Sequence, residues 1–402
     1  MHQSHRERAG LASVWLFCSI AAGVNVPSAL MPSYVTHYGL NATEQAGLLS
    51  LYMGSLVVCL LVLATRAPNS SPRRTRGLLL TAGAASVVST LLLSAGEVSM
   101  EYVFAGRVLG GIAMAIGTSS AASLALLFLG EHGRVAVGTA TILGSLLGNV
   151  GAGALATVVP FPLLTVPATL AAATASILFF TVFATRISPE TAHVAKGADR
   201  RHDAHGSSMA ITYRARHRVA GYITGSVSWL VAGIVIALLP GGIHESAANG
   251  SALLAALPAG ALLSSAWIAQ QITRRQTLRL RAWIVNTGLA AGMAALALAL
   301  QTGQIWTVAT VCAVLGLFQG PAYNLGLVTV THGITSTGQG AAASRYAVIS
   351  YAACALGVYG GGLLVSNAGL TNAVAIIAIC IFGYAVASAA FAGPARVNFA
   401  RV

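Results

Sequence analysis

The sequence predicts an all-α membrane protein of twelve spanning helices, arranged as two pseudo-symmetric six-helix bundles. Three observations predict it. Of 402 residues, 56% are hydrophobic and 8% are charged, where soluble domains carry about 25% charged residues. Mean hydropathy is +0.77, and at about 20 apolar residues per span the chain has room for roughly twelve helices. Landmarks of the first half also return in the second at offsets of roughly 200–210 residues, the mark of two parallel halves.

The elements follow in order. Ten polar, basic residues precede the apolar run Leu11 to Pro32. That run exceeds the roughly 7–15-residue core of a cleaved signal, so an uncleaved first span is expected. Asn25, Pro27 and Pro32 interrupt it. The second span is expected from Thr43 to Ala64, followed by a basic loop, Arg66 to Arg76, and a third span from Gly77 to Ala95. A short acidic turn, Gly96 to Glu101, leads to a fourth span from Tyr102 to near Gly130. The fifth runs from Ala136 to Val159, and the sixth follows Pro160, Pro162 and Pro167 and closes near Thr185.

Residues 187–218 then form a polar cytoplasmic linker between a first bundle, 1–186, and a second, 219–402. The linker's His202-Asp203-Ala204-His205 is conceivable as a metal site, but reads as a solvated loop, and no metal is expected. The second-half spans are expected at 219–239, 249–271, 282–300, 305–331, 341–365 and 371–392. Arg274 to Arg281 mirrors Arg73 to Arg76, and Leu315-Gly316 echoes Leu109-Gly110. The cluster Gly357 to Gly362 echoes Gly148 to Gly153.

Charge follows the same alternation. The loops near 34–42, 96–101, 159–166, 240–248, 301–304 and 366–371 contain no Lys or Arg, and the alternate loops and both termini hold nearly all of them. By the positive-inside rule both termini are expected in the cytoplasm, in the inner or plasma membrane. The net charge of +13 is therefore topological, and nucleic acid is not an expected partner. The cysteines, Cys18, Cys59, Cys312, Cys354 and Cys380, are scattered through apolar runs and read as small buried hydrophobes. No nucleophile–base pairing, metal motif or Walker A loop is present, so neither an enzyme nor a cofactor is expected.

The stretch Tyr102 to Gly117 is apolar except for Arg107. An arginine at mid-span costs about 2.5–3.5 kcal/mol and usually faces a cavity or a partner; the bland alternative is snorkelling to the headgroups. Gly106 and Gly110 lie one helical turn apart on one face and admit another backbone. The run Arg107-Val108-Leu109-Gly110-Gly111 resembles the RxxxG signature in the fourth helix of the major facilitator superfamily. Leu63-Ala64-Thr65-Arg66 and Arg73-Arg74 resemble, in degenerate form, that family's loop between helices two and three; Thr65 stands where the family has aspartate. Gly144, Gly148 and Gly153 resemble the glycine-rich fifth-helix motif of its drug:proton antiporters, with Asn149 in place of the proline and Ala152 in place of a glycine. The alternative for these glycines is close helix packing.

The resemblance implies alternating access by two six-helix bundles, a small-molecule substrate, protons as partner, and a cavity-facing Arg107. It is most specific for proton-coupled efflux of drugs or hydrophobic metabolites. An uptake permease or facilitator, and a non-transporting sensor or scaffold, are the alternatives. Candidate substrate or coupling residues are the polar and aromatic side chains deep in spans: Asn25, Asn149, Trp229 and Gln319, then Tyr323, Asn324, Tyr351 and Tyr359. None of the nine acidic residues lies at mid-span; Glu44 and Glu101 are the membrane-adjacent ones, and Glu101 is carried as a coupling candidate. Gly357 and Gly361 are expected to act as packing positions like Gly148. Tyr34, Tyr38 and Trp306 are read as interfacial anchors.

Overall fold

The computed structural model describes residues 2–66, 71–185, 215–246, 251–275, 281–331 and 336–391. Among these all regular structure is helical, and twelve helices are long and apolar enough to cross a membrane. In order they are α1 (His2–Ala29), a short α2 (Met31–Tyr38), α3 (Ala42–Arg66), α4 (Pro72–Ser94), α5 (Met100–Leu129), α6 (Glu131–Leu146) with its continuation α7 (Ala152–Ala156), and α8 (Pro162–Ala184). The second half holds α9 (Ala215–Ala237), a short α10 (Leu239–Ser246), α11 (Ala252–Arg275), α12 (Ala282–Gln301), α13 (Ile305–Thr331), α14 (Ser336–Ala368) and α15 (Leu370–Phe391). The chain is a multi-pass membrane protein. Large apolar side chains such as Phe180, Leu356 and Ile379 are exposed on the bundle, as a lipid-facing surface requires.

The chain divides by contact into two compact units, residues 1–30 with 54–207 and residues 31–53 with 208–402. The segment 31–53 thus packs with the second half, because its hydroxyls bond there. Thr43 Oγ1 lies 2.8 Å from Ser366 Oγ, and Ser50 Oγ donates to the Ala355 carbonyl at 2.8 Å. In the first unit α4 packs along α5, and α1 is flanked by α5, α6 and α8. In the second, α11 packs along α13, α12 along α15, and α9 against α13 and α14.

Several local features depart from the sequence reading. The first span passes through Pro27 as expected but ends at Ala29, short of Pro32, and α2 carries on from Met31. The fifth span is not one uniform helix: Leu147–Gly151 is a π-helical turn between α6 and α7. Arg73, Arg74 and Arg76 do not lie in a loop. Ser71 caps α4, its Oγ accepting from the Arg74 N–H, and the three arginines occupy the first turns of that helix. Arg76 donates to the Val182 carbonyl at 2.7 Å and to Thr185 Oγ1 at 3.1 Å, placing a cation at the C-terminal end of α8, where the helix dipole favours one. Glu44 is engaged in a reciprocal cap at the start of α3, accepting from the Asn41 N–H at 2.9 Å while its own N–H donates to Asn41 Oδ1 at 3.0 Å. Cys18, Cys312 and Cys354 are buried, but Cys380 is exposed on the outer face of α15. Tyr34 is fully buried rather than interfacial, whereas Trp306 is exposed. The linker and its His202-Asp203-Ala204-His205 lie outside the described residues.

Candidate functional site

Two clusters of deep polar or aromatic side chains form, one in each unit.

In the first unit Arg107 is buried, at 2% exposure, in α5. Its guanidinium donates to the backbone carbonyl of Val24 in α1. Pro27 lacks an N–H, so the carbonyl four residues earlier, at Gly23, loses its helical donor, and the α1 ladder is already interrupted beside Val24. The next residue, Asn25, donates to the Ala21 carbonyl at 2.8 Å and to Ser145 Oγ at 3.1 Å. Asn149, within the π-helical turn, donates to the Ser145 carbonyl at 2.9 Å and reaches Asn25 Oδ1 at 3.4 Å. Its own Oδ1 is buried without a hydrogen-bond partner. Arg107 of α5 therefore binds α1 at Val24, and the next residue of α1, Asn25, bonds to Ser145 of α6 and Asn149.

Glycine makes this junction possible. A methyl at Gly144 would collide with the Cys18 carbonyl, and one at Gly148 with the Ala22 carbonyl, so the backbones of α6 and α1 touch there. Gly106 and Gly110 face α4, where Ser89 Oγ donates to the Gly106 carbonyl at 2.7 Å. Gly111 and Gly153 are buried. Snorkelling to the headgroups does not describe a guanidinium buried against Val24.

In the second unit Trp229 of α9 stands between Tyr351 of α14, ring centroids 4.8 Å apart, and Tyr323 of α13, 5.8 Å apart and perpendicular. These are the edge-to-face geometries that aromatic pairs favour. Tyr346 extends the chain of rings, 5.4 Å from Tyr323 and 6.3 Å from Tyr222, and its hydroxyl donates to the Tyr323 carbonyl at 2.6 Å. Gly225 and Gly326 leave the slot that the Tyr346 ring tip fills. The Trp229 Nε1–H is buried within this cluster, with the Tyr323 side chain as its polar neighbour. Gln319 is buried one turn before Tyr323, and its backbone carbonyl accepts from Ser228 Oγ at 3.0 Å.

Other candidates fall away from these clusters. Tyr359 is exposed on α14, and Asn324 is half-buried on α13 beside the cluster without joining its ring contacts. Glu101 is exposed in the first turn of α5, its N–H donating to the cap Ser99. Among the glycines, Gly357 is tight against Leu230, but a methyl at Gly361 would meet only ordinary contacts, so Gly361 is not a close-packing position. Sequence reasoning missed Ser145, Tyr222 and Tyr346. Their signal was spacing: Ser145 is one turn from Asn149, and Tyr222 is two turns from Trp229 on the same face. Asn286, wholly buried and donating to Thr224 Oγ1 at 3.2 Å, was also missed.

Twelve apolar helices that bury polar and aromatic side chains within their spans define a polytopic membrane protein. A family profile described as the Major Facilitator Superfamily matches residues 13–358, and the chain belongs to that superfamily of transporters. Solved structures agree in fold. A D-xylose–proton symporter superposes with a TM-score of 0.71 at 14% identity, covering 98% of this chain and 99% of its own. The xylose transporter XylE from E. coli, in an inward open conformation, gives 0.71 at 16% identity, covering 97% and 96%. A POT family transporter in complex with 5-aminolevulinic acid gives 0.70 at 14% identity, covering 96% of each chain. A search of curated protein sequences finds no match.

Proposed function

We propose that this transporter exports uncharged, ring-bearing drugs or small hydrophobic metabolites by alternating access, in exchange for protons. The observation that carries the reading is the buried cluster in which Trp229 meets the Tyr323 and Tyr351 rings edge to face. Aromatic faces gathered inside a span suit a ligand that itself bears a ring. Trp229, Tyr323 and Tyr351 are the proposed substrate contacts, with Gln319 beside them. Arg107, Asn25 and Asn149 are the proposed coupling residues, since a cation and two amides share a buried junction whose polar groups are not all satisfied. The proposed setting is the inner membrane with both termini in the cytoplasm, following the loop charges.

A second reading, a permease or facilitator driven by the substrate's own gradient, is favoured by one observation: Glu7, Glu44 and Glu101 sit at the ends of their spans, and no carboxylate lies at a span's middle. The test is accumulation profiling of a deletion strain against a compound panel, followed by flux of the responding compound into vesicles with an imposed pH gradient. Export expects higher accumulation in the deletion strain and flux that follows the gradient. Lower accumulation supports the permease. No change in any compound, with no flux in vesicles, contradicts both.

A further inference from the structure

The second unit contains a cavity of about 650 Å³ set apart from the aromatic cluster. It is framed by the first turn of α3, the junction of α9 and α10, the first turn of α11, and the two tight reversals that join α12 to α13 and α14 to α15. Glycine permits both reversals: Gly303 has φ +65° and Gly369 φ +79°, values that side-chain-bearing residues rarely adopt. Ser366, on the cavity wall, is fifteen positions beyond Tyr351 on α14, about 22 Å along the helix axis. The framing loops are among those that carry no Lys or Arg, so the cavity lies at the membrane edge away from the basic loops.

Among the described residues every lining side chain is uncharged. Leu254, Leu300, Ile305 and Leu370 supply apolar walls. The Gln45 amide is already committed to the Leu40 carbonyl at 3.1 Å, and Ser366 Oγ to Thr43. The Gln304 amide stands at the mouth, exposed, its oxygen accepting only a long bond from Thr307 at 3.4 Å. A cavity of this size matches those that enclose drug-sized ligands. Among the described lining residues a cation finds no carboxylate and an anion finds no Lys or Arg, and desolvating either charge there would be costly. We infer that this cavity is a second ligand site, distinct from the aromatic cluster, for an uncharged amphipathic molecule whose polar head meets Gln304 and whose aliphatic body fills the apolar walls.

The test uses the full chain in phosphatidylcholine nanodiscs. The probe is a ten-carbon primary amide with a terminal diazirine, and the control is the same chain with a carboxylate head. The expected result is saturable photolabelling of peptides containing Asn41 to Gln45 and Gln304 to Val308. Ala255→Phe, which fills the cavity, should reduce it at least fivefold. Gln304→Leu should reduce it at least threefold and leaves the packing alone because that side chain is exposed, so it decides the matter where Ala255→Phe fails to fold. The carboxylate should label at least fivefold less. Labelling that rises linearly with probe and follows lipid exposure, as at Leu356 and Ile379, overturns the inference. So does equal labelling by the carboxylate, which marks a lipid crevice, or no labelling of either peptide.

Discussion

The two units place different chemistry at repeat-related positions. Trp229 stands 204 positions after Asn25, and Tyr351 stands 202 after Asn149. In the first unit these helix positions carry amides that bond one another beside Arg107. In the second they carry rings in edge contact. Glycines let backbones touch in both units, at Gly144 and Gly148 in the first and at Gly316 and Gly320 in the second, where Gly225 and Gly326 also make room for one tyrosine. The repeated scaffold thus keeps its helix order while one half is polar at these positions and the other aromatic. The account assigns ion coupling to the first and substrate contact to the second.

The largest expected effect concerns the close packing of the first unit. Gly148→Leu forces a side chain into the Ala22 carbonyl and should cost about 1–3 kcal/mol or more through overpacking. Monodisperse protein recovered after detergent extraction should fall severalfold. Gly361→Ala, whose methyl would meet only ordinary contacts, should be recovered near wild-type level, whereas Gly148→Ala should not. Equal recovery of the two would remove the packing half of the comparison.

Next is Arg107. Lysine keeps the charge but loses the planar fork of donors, and alanine loses both. Both variants should fold, and each should lower gradient-driven transport at least tenfold. Wild-type transport by purified Arg107→Lys in proteoliposomes would make the first unit's junction merely structural.

A smaller effect is expected in the second unit. Aromatic pairs contribute about 0.5–1.5 kcal/mol beyond area burial, so Trp229→Ala should weaken binding of a ring-bearing substrate severalfold and Trp229→Phe much less, read by titration of intrinsic fluorescence or by calorimetry. Tyr359→Ala, on the exposed face of α14, should do nothing. The smallest readout concerns orientation alone. In a cysteine-free background, a cysteine at Val98 should react with an impermeant thiol reagent from outside intact cells, and one at Arg73 should not.

Much of the fold was legible because it rests on one-dimensional signals: apolar run lengths, proline and glycine punctuation, and alternating loop charge. Arg107 was legible because a lone cation within an apolar run is costly. What remained hidden depends on where helices meet. The π-helical turn at Leu147 to Gly151 leaves no pattern in the residues, yet Asn149 sits within it. Tyr346 is wholly buried because Gly225 and Gly326, on two other helices, open a slot for it. The attachment of residues 31–53 to the second unit rests on hydroxyl-to-carbonyl bonds such as Ser50 to Ala355, which hydropathy cannot register.

The most direct measurement separates coupling from substrate contact in one preparation. Proteoliposomes loaded with the compound found by accumulation profiling can be assayed for counterflow, which needs no proton gradient, and for uptake driven by an imposed gradient. The account predicts that Arg107→Lys retains counterflow and loses gradient-driven uptake, while Trp229→Ala lowers both severalfold at the same subsaturating substrate concentration. Arg107→Lys losing counterflow as fully as Trp229→Ala, or Trp229→Ala retaining it, would contradict the division of labour between the two units.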